Sequence, residues 1–153
     1  MSVSAREVLK LIDDWHPRGC KTEKDLERSL HKHLEKNLPS SEIIMQYASG
    51  RIKGDIGIDG HILIEIKDGL KSTGQLQRLL GQLELYAALW KGKVIVIING
   101  DAQRDLVNSL TTKVKALKNQ SASFLSDESR YHLVIRGSGK PKEESAWDKF
   151  WNG

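Results

Sequence analysis

The chain has 153 residues, 39% hydrophobic and 29% charged, a size and balance that suit one soluble domain with a real apolar core. No apolar run reaches the ~18 residues of a membrane-spanning helix, and the opening Met-Ser-Val-Ser-Ala-Arg-Glu has neither the basic start nor the apolar stretch of a secretion signal. The net charge is +4 and Cys20 is the single cysteine, which excludes an intrachain disulfide framework and makes a reducing cytoplasm the expected compartment.

In chain order, Ser4 to Trp15 reads as a short helix with Val8, Leu9, Leu11 and Ile12 on one side, broken by His16-Pro17-Arg18-Gly19. Thr22 then has the character of an N-cap, with Asp25 three residues on. The helix runs to about Asn37 on a stripe of Leu26, Leu30 and Leu34, and Pro39-Ser40-Ser41 ends it. Strands are predicted at Glu42–Ala48, Asp55–Ile58 and Ile62–Lys67, the last two forming a hairpin around Asp59-Gly60. A long helix follows from Gly74 to Trp90, then Val94–Ile98, apolar throughout like a central strand covered on both faces. A helix from Asp101 to about Asn119 and a short strand His132–Arg136 complete the pattern. The fold class expected is α/β, a mixed central sheet flanked by helices, in one domain spanning 1–153 with its core at about 22–99. A C-terminal extension, 138–153, carries Trp147, Phe150 and Trp151 at a spacing that suits a short helix packing back on the domain first, or else on a partner.

The chemistry concentrates between Gly54 and Lys67. On strand 62–67, Ile62, Ile64 and Ile66 face one way and Leu63, Glu65 and Lys67 the other. Charges on so apolar a strand are costly unless paired or metal-bound. A clean two-residue turn at Asp59-Gly60 would set Asp55 opposite Ile64 and send the two acids to opposite faces. An odd loop or a bulge sets Asp55 opposite Glu65 instead, and it also stacks Ile56 and Ile58 on the side of Ile62, Ile64 and Ile66. The hydrophobic pattern therefore favours the register that gathers Asp55, Glu65 and Lys67. Two carboxylates with the backbone carbonyl of Ile66 are hard ligands suited to Mg²⁺, or to Mn²⁺ in its place. Such a group with a lysine beside it suits phosphodiester hydrolysis.

Asp55 followed by Glu65-Ile66-Lys67 resembles the core of the PD-(D/E)XK nuclease superfamily, with Gly54 where the motif's proline stands. The order helix, three strands, helix, strand matches that family from about Thr22 to Ile98, roughly half the chain. The resemblance implies a restriction-endonuclease-like fold, a Mg²⁺-dependent nuclease activity on nucleic acid, DNA first, and a possible homodimer. It also implies a metal-coordinating Glu on the first core helix. Glu27 is the choice, with Glu23 standing one turn earlier in the same relation to the leucine stripe. Gln82-Leu-Glu-Leu-Tyr86 is similar to the Gln-X-X-X-Tyr helix motif of one branch of the family, which implies a catalytic or metal-water contact for Gln82 and a phosphate contact for Tyr86. The alternative for that pair is a surface glutamine beside a packed tyrosine.

Basic residues add a second theme. From Tyr86 to Leu125 there are six bases against two acids, and Lys91, Lys93, Arg104, Lys113 and Lys115 suggest a phosphate-binding segment or, equally, a solvated helix face. Arg51 and Lys53, just before Asp55, are further candidates for nucleic-acid contact. The histidines show no ligand spacing, His31 and His33 pointing different ways on their helix, and Asp59 reads as a turn residue. The rival functions are an RNase or toxin-type nuclease on the same fold, and a nucleic-acid-binding protein without catalysis.

Overall fold

The computed structural model describes residues 3–121 and 129–137. Among the described residues nine elements follow in order: α1 (Ala5–Asp13), α2 (Glu23–Asn37), β1 (Ile43–Ser49), β2 (Ile52–Ile58), β3 (Ile62–Leu70), α3 (Thr73–Leu89), β4 (Lys93–Ala102), α4 (Arg104–Ser121) and β5 (Tyr131–Arg136). The C-terminal extension with Trp147, Phe150 and Trp151 lies outside the described residues. None of the described helices is long and apolar enough to cross a membrane.

Helix starts follow from their side chains. Thr22 accepts from the Asp25 amide while Asp25 reaches back to the Thr22 amide, a reciprocal cap repeated by Ser72 and Gln75 at α3. Each such cap satisfies backbone donors that the first helical turn leaves open, worth about 1 kcal/mol.

The strands form one mixed sheet in the order β1-β2-β3-β4-β5. The first three pair antiparallel, and β3, β4 and β5 run parallel. The chain therefore folds as an α/β domain with helices on both faces of the sheet. One core packs Ile56, Ile58, Ile62, Ile64, Ile66, Ile95 and Ile97 against α1 and α2. The other packs Leu63, Val94, Val96 and Ile98 against α3 and α4. The uninterrupted apolar run of β4 is thus explained by burial on both sides.

The turn between β2 and β3 has the odd length that the hydrophobic pattern requires. Ile58 pairs with Ile62 and Ile56 with Ile64. Asp59 and Gly60 both adopt positive φ, 53° and 62°, a conformation aspartate and glycine tolerate. The His61 amide closes the turn on the Ile58 carbonyl at 2.9 Å. Asp59 is a structural residue here, its Oδ1 accepting from the Glu42 amide at 2.8 Å.

The strands run longer than the sequence pattern indicates. β2 begins at Ile52 rather than Asp55, and β3 and β4 continue to Leu70 and Ala102. Gly69 and Gly100, both at positive φ, sit where the β3–β4 ladder shifts and then resumes at Leu70 and Ala102. This extension takes Asp101 into β4 and delays α4 to Arg104.

The added residues of β2 expose a reversal of the pleat. Ile56 and Ile58 belong to the α1–α2 core, yet Ile52 belongs to the α3–α4 core. A Cβ at Gly54 would also meet the Leu63 side chain, on that second face, at 2.4 Å. On β1, Ile43 lies in the first core while Tyr47 packs on the second. Both strands change face at facing positions. Gln46 and Asp55 stand there, absent from a ladder that otherwise runs from Ile43–Ile58 to Ser49–Ile52. Gln46 has φ +52°, a left-handed conformation that costs a non-glycine residue of order 1–3 kcal/mol and tends to mark functional regions.

Candidate active site

At the reversal, β2 parts from β3. The regular pairing ends at Ile56–Ile64, and at the next rung the Asp55 carboxylate replaces a backbone acceptor. Its Oδ2 takes the Ile66 amide at 2.7 Å. In an extended strand a residue's N–H and C=O point to the same side, so the Ile66 carbonyl faces the Asp55 edge as well. Asp55, half-buried, is thus anchored by one carboxylate oxygen beside a backbone carbonyl.

Glu65 is 2% exposed. The Tyr86 hydroxyl lies 2.7 Å from its Oε2, and Gln82 Nε2 and Lys67 Nζ lie 3.4 and 3.6 Å from Oε1. Burial, and after it the neighbouring Asp55 charge, raise the Glu65 carboxyl to about 7; the Tyr86 hydroxyl, Lys67 and Gln82 pull the other way. The Tyr86 oxygen stands 2.7 Å from both Glu65 Oε2 and the Lys53 carbonyl, and one hydroxyl proton serves one acceptor at a time. The Tyr86 hydroxyl therefore shares its one proton between the Glu65 carboxylate and the Lys53 carbonyl. Asp55 is also raised, first by burial, with the Ile66 amide and Lys67 opposing and Glu27 and Glu23 adding to the rise. Tyr86 itself is held far above the ordinary phenol range by burial and the Glu65 charge.

Glu27 is the buried carboxylate of α2, 5% exposed, whereas Glu23 is exposed one turn earlier. Both Glu27 oxygens accept from Gln46 Nε2, at 2.8 and 2.9 Å. The strained residue of β1 therefore clasps the helix carboxylate whose charge Asp55 feels. Pattern reading overlooked Gln46, since an exposed strand glutamine carries no signal until its φ and partner are known.

Other expected contacts fall elsewhere. Tyr86 is 1% exposed, its hydroxyl turned inward to Glu65 and Lys53, so it positions the carboxylate rather than offering itself to solvent. The Lys53 side chain is exposed on β2, and Arg51 and Lys91 are exposed too. Lys93 Nζ donates to the Ser129 carbonyl at 3.4 Å, and Lys113 pairs with Glu84. The His31 and His33 rings bond to the separate carbonyls of Ile43 and Leu11.

The donor set fits a small hard cation. Asp55, Glu65 and the Ile66 carbonyl are oxygen ligands of the kind Mg²⁺ prefers, and a buried, mutually repelling acid pair is relieved by positive charge. Among the described residues no three His, Cys, Asp or Glu side chains are gathered as a metal-holding group. Glu27, turned to Gln46, stays outside the pair. Comparisons with protein-family models, curated proteins and solved structures found no match for this chain.

Proposed function

We propose that this chain is a Mg²⁺-dependent nuclease of the PD-(D/E)XK type, on a restriction-endonuclease-like fold, hydrolysing phosphodiester bonds in nucleic acid with DNA as the first substrate. One observation carries the reading. Asp55, bonded to the Ile66 amide where the β2–β3 ladder ends, lies close enough for its charge to act on Glu65, and the Lys67 ammonium stands 3.6 Å from Glu65. The order α2, β1–β3, α3, β4 supports the fold assignment.

Asp55, Glu65 and the Ile66 carbonyl would hold the ion, and Mn²⁺ would substitute. An ion held there would supply positive charge to the substrate phosphate and make an attacking water more acidic. The protein's own groups do the rest. The Ile66 amide fixes the Asp55 rotamer, so its carboxylate is held ready without reorganisation. Tyr86 and Gln82 hold Glu65 from α3. Lys67, half-exposed at the rim, orients the attacking water or the scissile phosphate through its ammonium protons. A homodimer would set two such sites against two strands.

The test is cleavage of linear, branched, nicked and single-stranded DNA, with matched RNA, at 10 mM-scale Mg²⁺ or Mn²⁺. Wild type cuts at least one substrate, and Glu65→Ala and Lys67→Ala each lower the rate by at least ~100-fold, the scale of one lost catalytic group. RNA-only cleavage moves the substrate class to RNA. Binding without cleavage on every substrate rejects the enzyme.

A further inference from the structure

A basic ridge runs along the outer face of α2. Lys24, Arg28, Lys32 and Lys36 recur every four residues and all are exposed. At 1.5 Å per residue the row is about 18 Å long, close to the rise of five base pairs. Arg18 and Lys21, also exposed, extend it beyond the helix start. An open depression of 360 Å³ lies on this face, lined by Gly19, Asp25, Arg28, Ser29 and Lys32.

Of the four acids of α2, Glu23 is exposed beside Lys24 and the other three have partners of their own. Asp25 is committed to the helix cap, its carboxylate accepting the Lys21 and Thr22 amides. Glu35 pairs with His31 at 3.3 Å, and Glu27 is buried against Gln46. In contrast, the basic segment of α4 gives up Lys113 to Glu84. Among the described residues no ion pair takes a base of this row, which lies on the helix that also carries Glu27. Lys24 stands about 60° round the helix from Glu27 and one turn before it, so the row starts at the end of α2 nearest Asp55, whose carboxyl senses both Glu23 and Glu27.

We propose that this ridge is a track for the phosphate backbone of nucleic acid, leading the polymer along α2 to the Asp55–Glu65 pair. The choice of nucleic acid over another polyanion rests on the nuclease reading above. Cationic side chains repeated at this spacing favour backbone contact, which is insensitive to base sequence.

Binding of a labelled 20-base-pair duplex is measured by fluorescence anisotropy in EDTA, between 50 and 400 mM NaCl, so that cleavage does not enter. Lys and Arg are changed to Gln, which keeps helix propensity, and circular dichroism verifies the fold. Each single change on the ridge weakens binding by about 5–10-fold at 100 mM salt and lowers the log–log salt slope by about 0.9. The quadruple variant Lys24→Gln/Arg28→Gln/Lys32→Gln/Lys36→Gln lowers the slope by about 3–4. The double variant Arg104→Gln/Lys115→Gln on α4 leaves it unchanged. Equal slopes for wild type and the quadruple variant overturn the proposal, as do a wild type that binds no duplex and a slope that depends on α4 alone. Ridge-dependent binding to vesicles containing 30% phosphatidylserine, with none to duplex, overturns it in favour of a membrane. Ridge-dependent duplex binding by a protein that never cleaves upholds the track and rejects the nuclease.

Discussion

Glu65→Gln should make the metal-free protein more stable at alkaline pH while abolishing cleavage. The wild-type carboxyl is raised from 4.5 to about 7, so the folded state keeps a proton that the unfolded chain releases. Its contribution is complete below about pH 4.5 and is lost as pH climbs to 7, since folded protein binds more protons than unfolded protein in that window. At ~1.4 kcal/mol per pH unit the loss amounts to about 3 kcal/mol. Glutamine never ionises. Urea unfolding in EDTA, at pH values from 4 to 8.5, should give a variant-minus-wild-type difference that grows by about 3 kcal/mol across the window. In thermal melts the same quantity is roughly 6–12 °C for a chain of this length. Adding Mg²⁺ at pH 8 should stabilise wild type and leave the variant unchanged. A difference curve flat between pH 4 and 8 would refute the reasoning, because Glu65 would then ionise like a surface carboxylate.

Asp55→Ala should cost about 1–3 kcal/mol in urea unfolding, because it strands the Ile66 amide; Asp55→Asn keeps an acceptor, should cost less than half as much, and should equally abolish cleavage. Tyr86→Phe removes the hydroxyl that lowers the Glu65 pKa, so the acidic limb of a pH–rate profile should move to higher pH; a limb that stays in place sinks the role assigned to Tyr86. Gly54→Ala brings a Cβ within 2.4 Å of the fully buried Leu63 side chain and should destabilise by about 1–3 kcal/mol. Combining it with Leu63→Ala should destabilise by clearly less than the sum of the two single changes, as a double-mutant cycle would measure.

The register of the Asp55–Glu65 hairpin was legible in the chain itself. Alternation is a period-two signal, and only a loop of odd length between Ile58 and Ile62 puts five isoleucines on one face. The caps at Thr22 and the buried run of β4 were legible for similar reasons, being local patterns with local causes. The pleat reversal was not. It depends on a left-handed Gln46 held by Glu27, nineteen residues away in the chain, and side-chain alternation carries no mark of it. The choice between Glu23 and Glu27 was equally hidden, since both fit the leucine stripe and only the contact with β1 buries one of them.

Charge divides in the same way. Composition located an excess of bases between Tyr86 and Leu125, yet the fold pairs Lys113 with Glu84 and turns Lys93 to a backbone carbonyl. Meanwhile three of the four acids of α2 are drawn into a cap, a histidine pair and the Gln46 clasp, while its bases stay exposed in a row. The sequence alone determines which residues alternate and where helices begin, because those are interactions over a few residues. Which carboxylates become buried, and which charges remain to face solvent, is decided by partners far along the chain, and those exist only once the sheet and its helices have assembled.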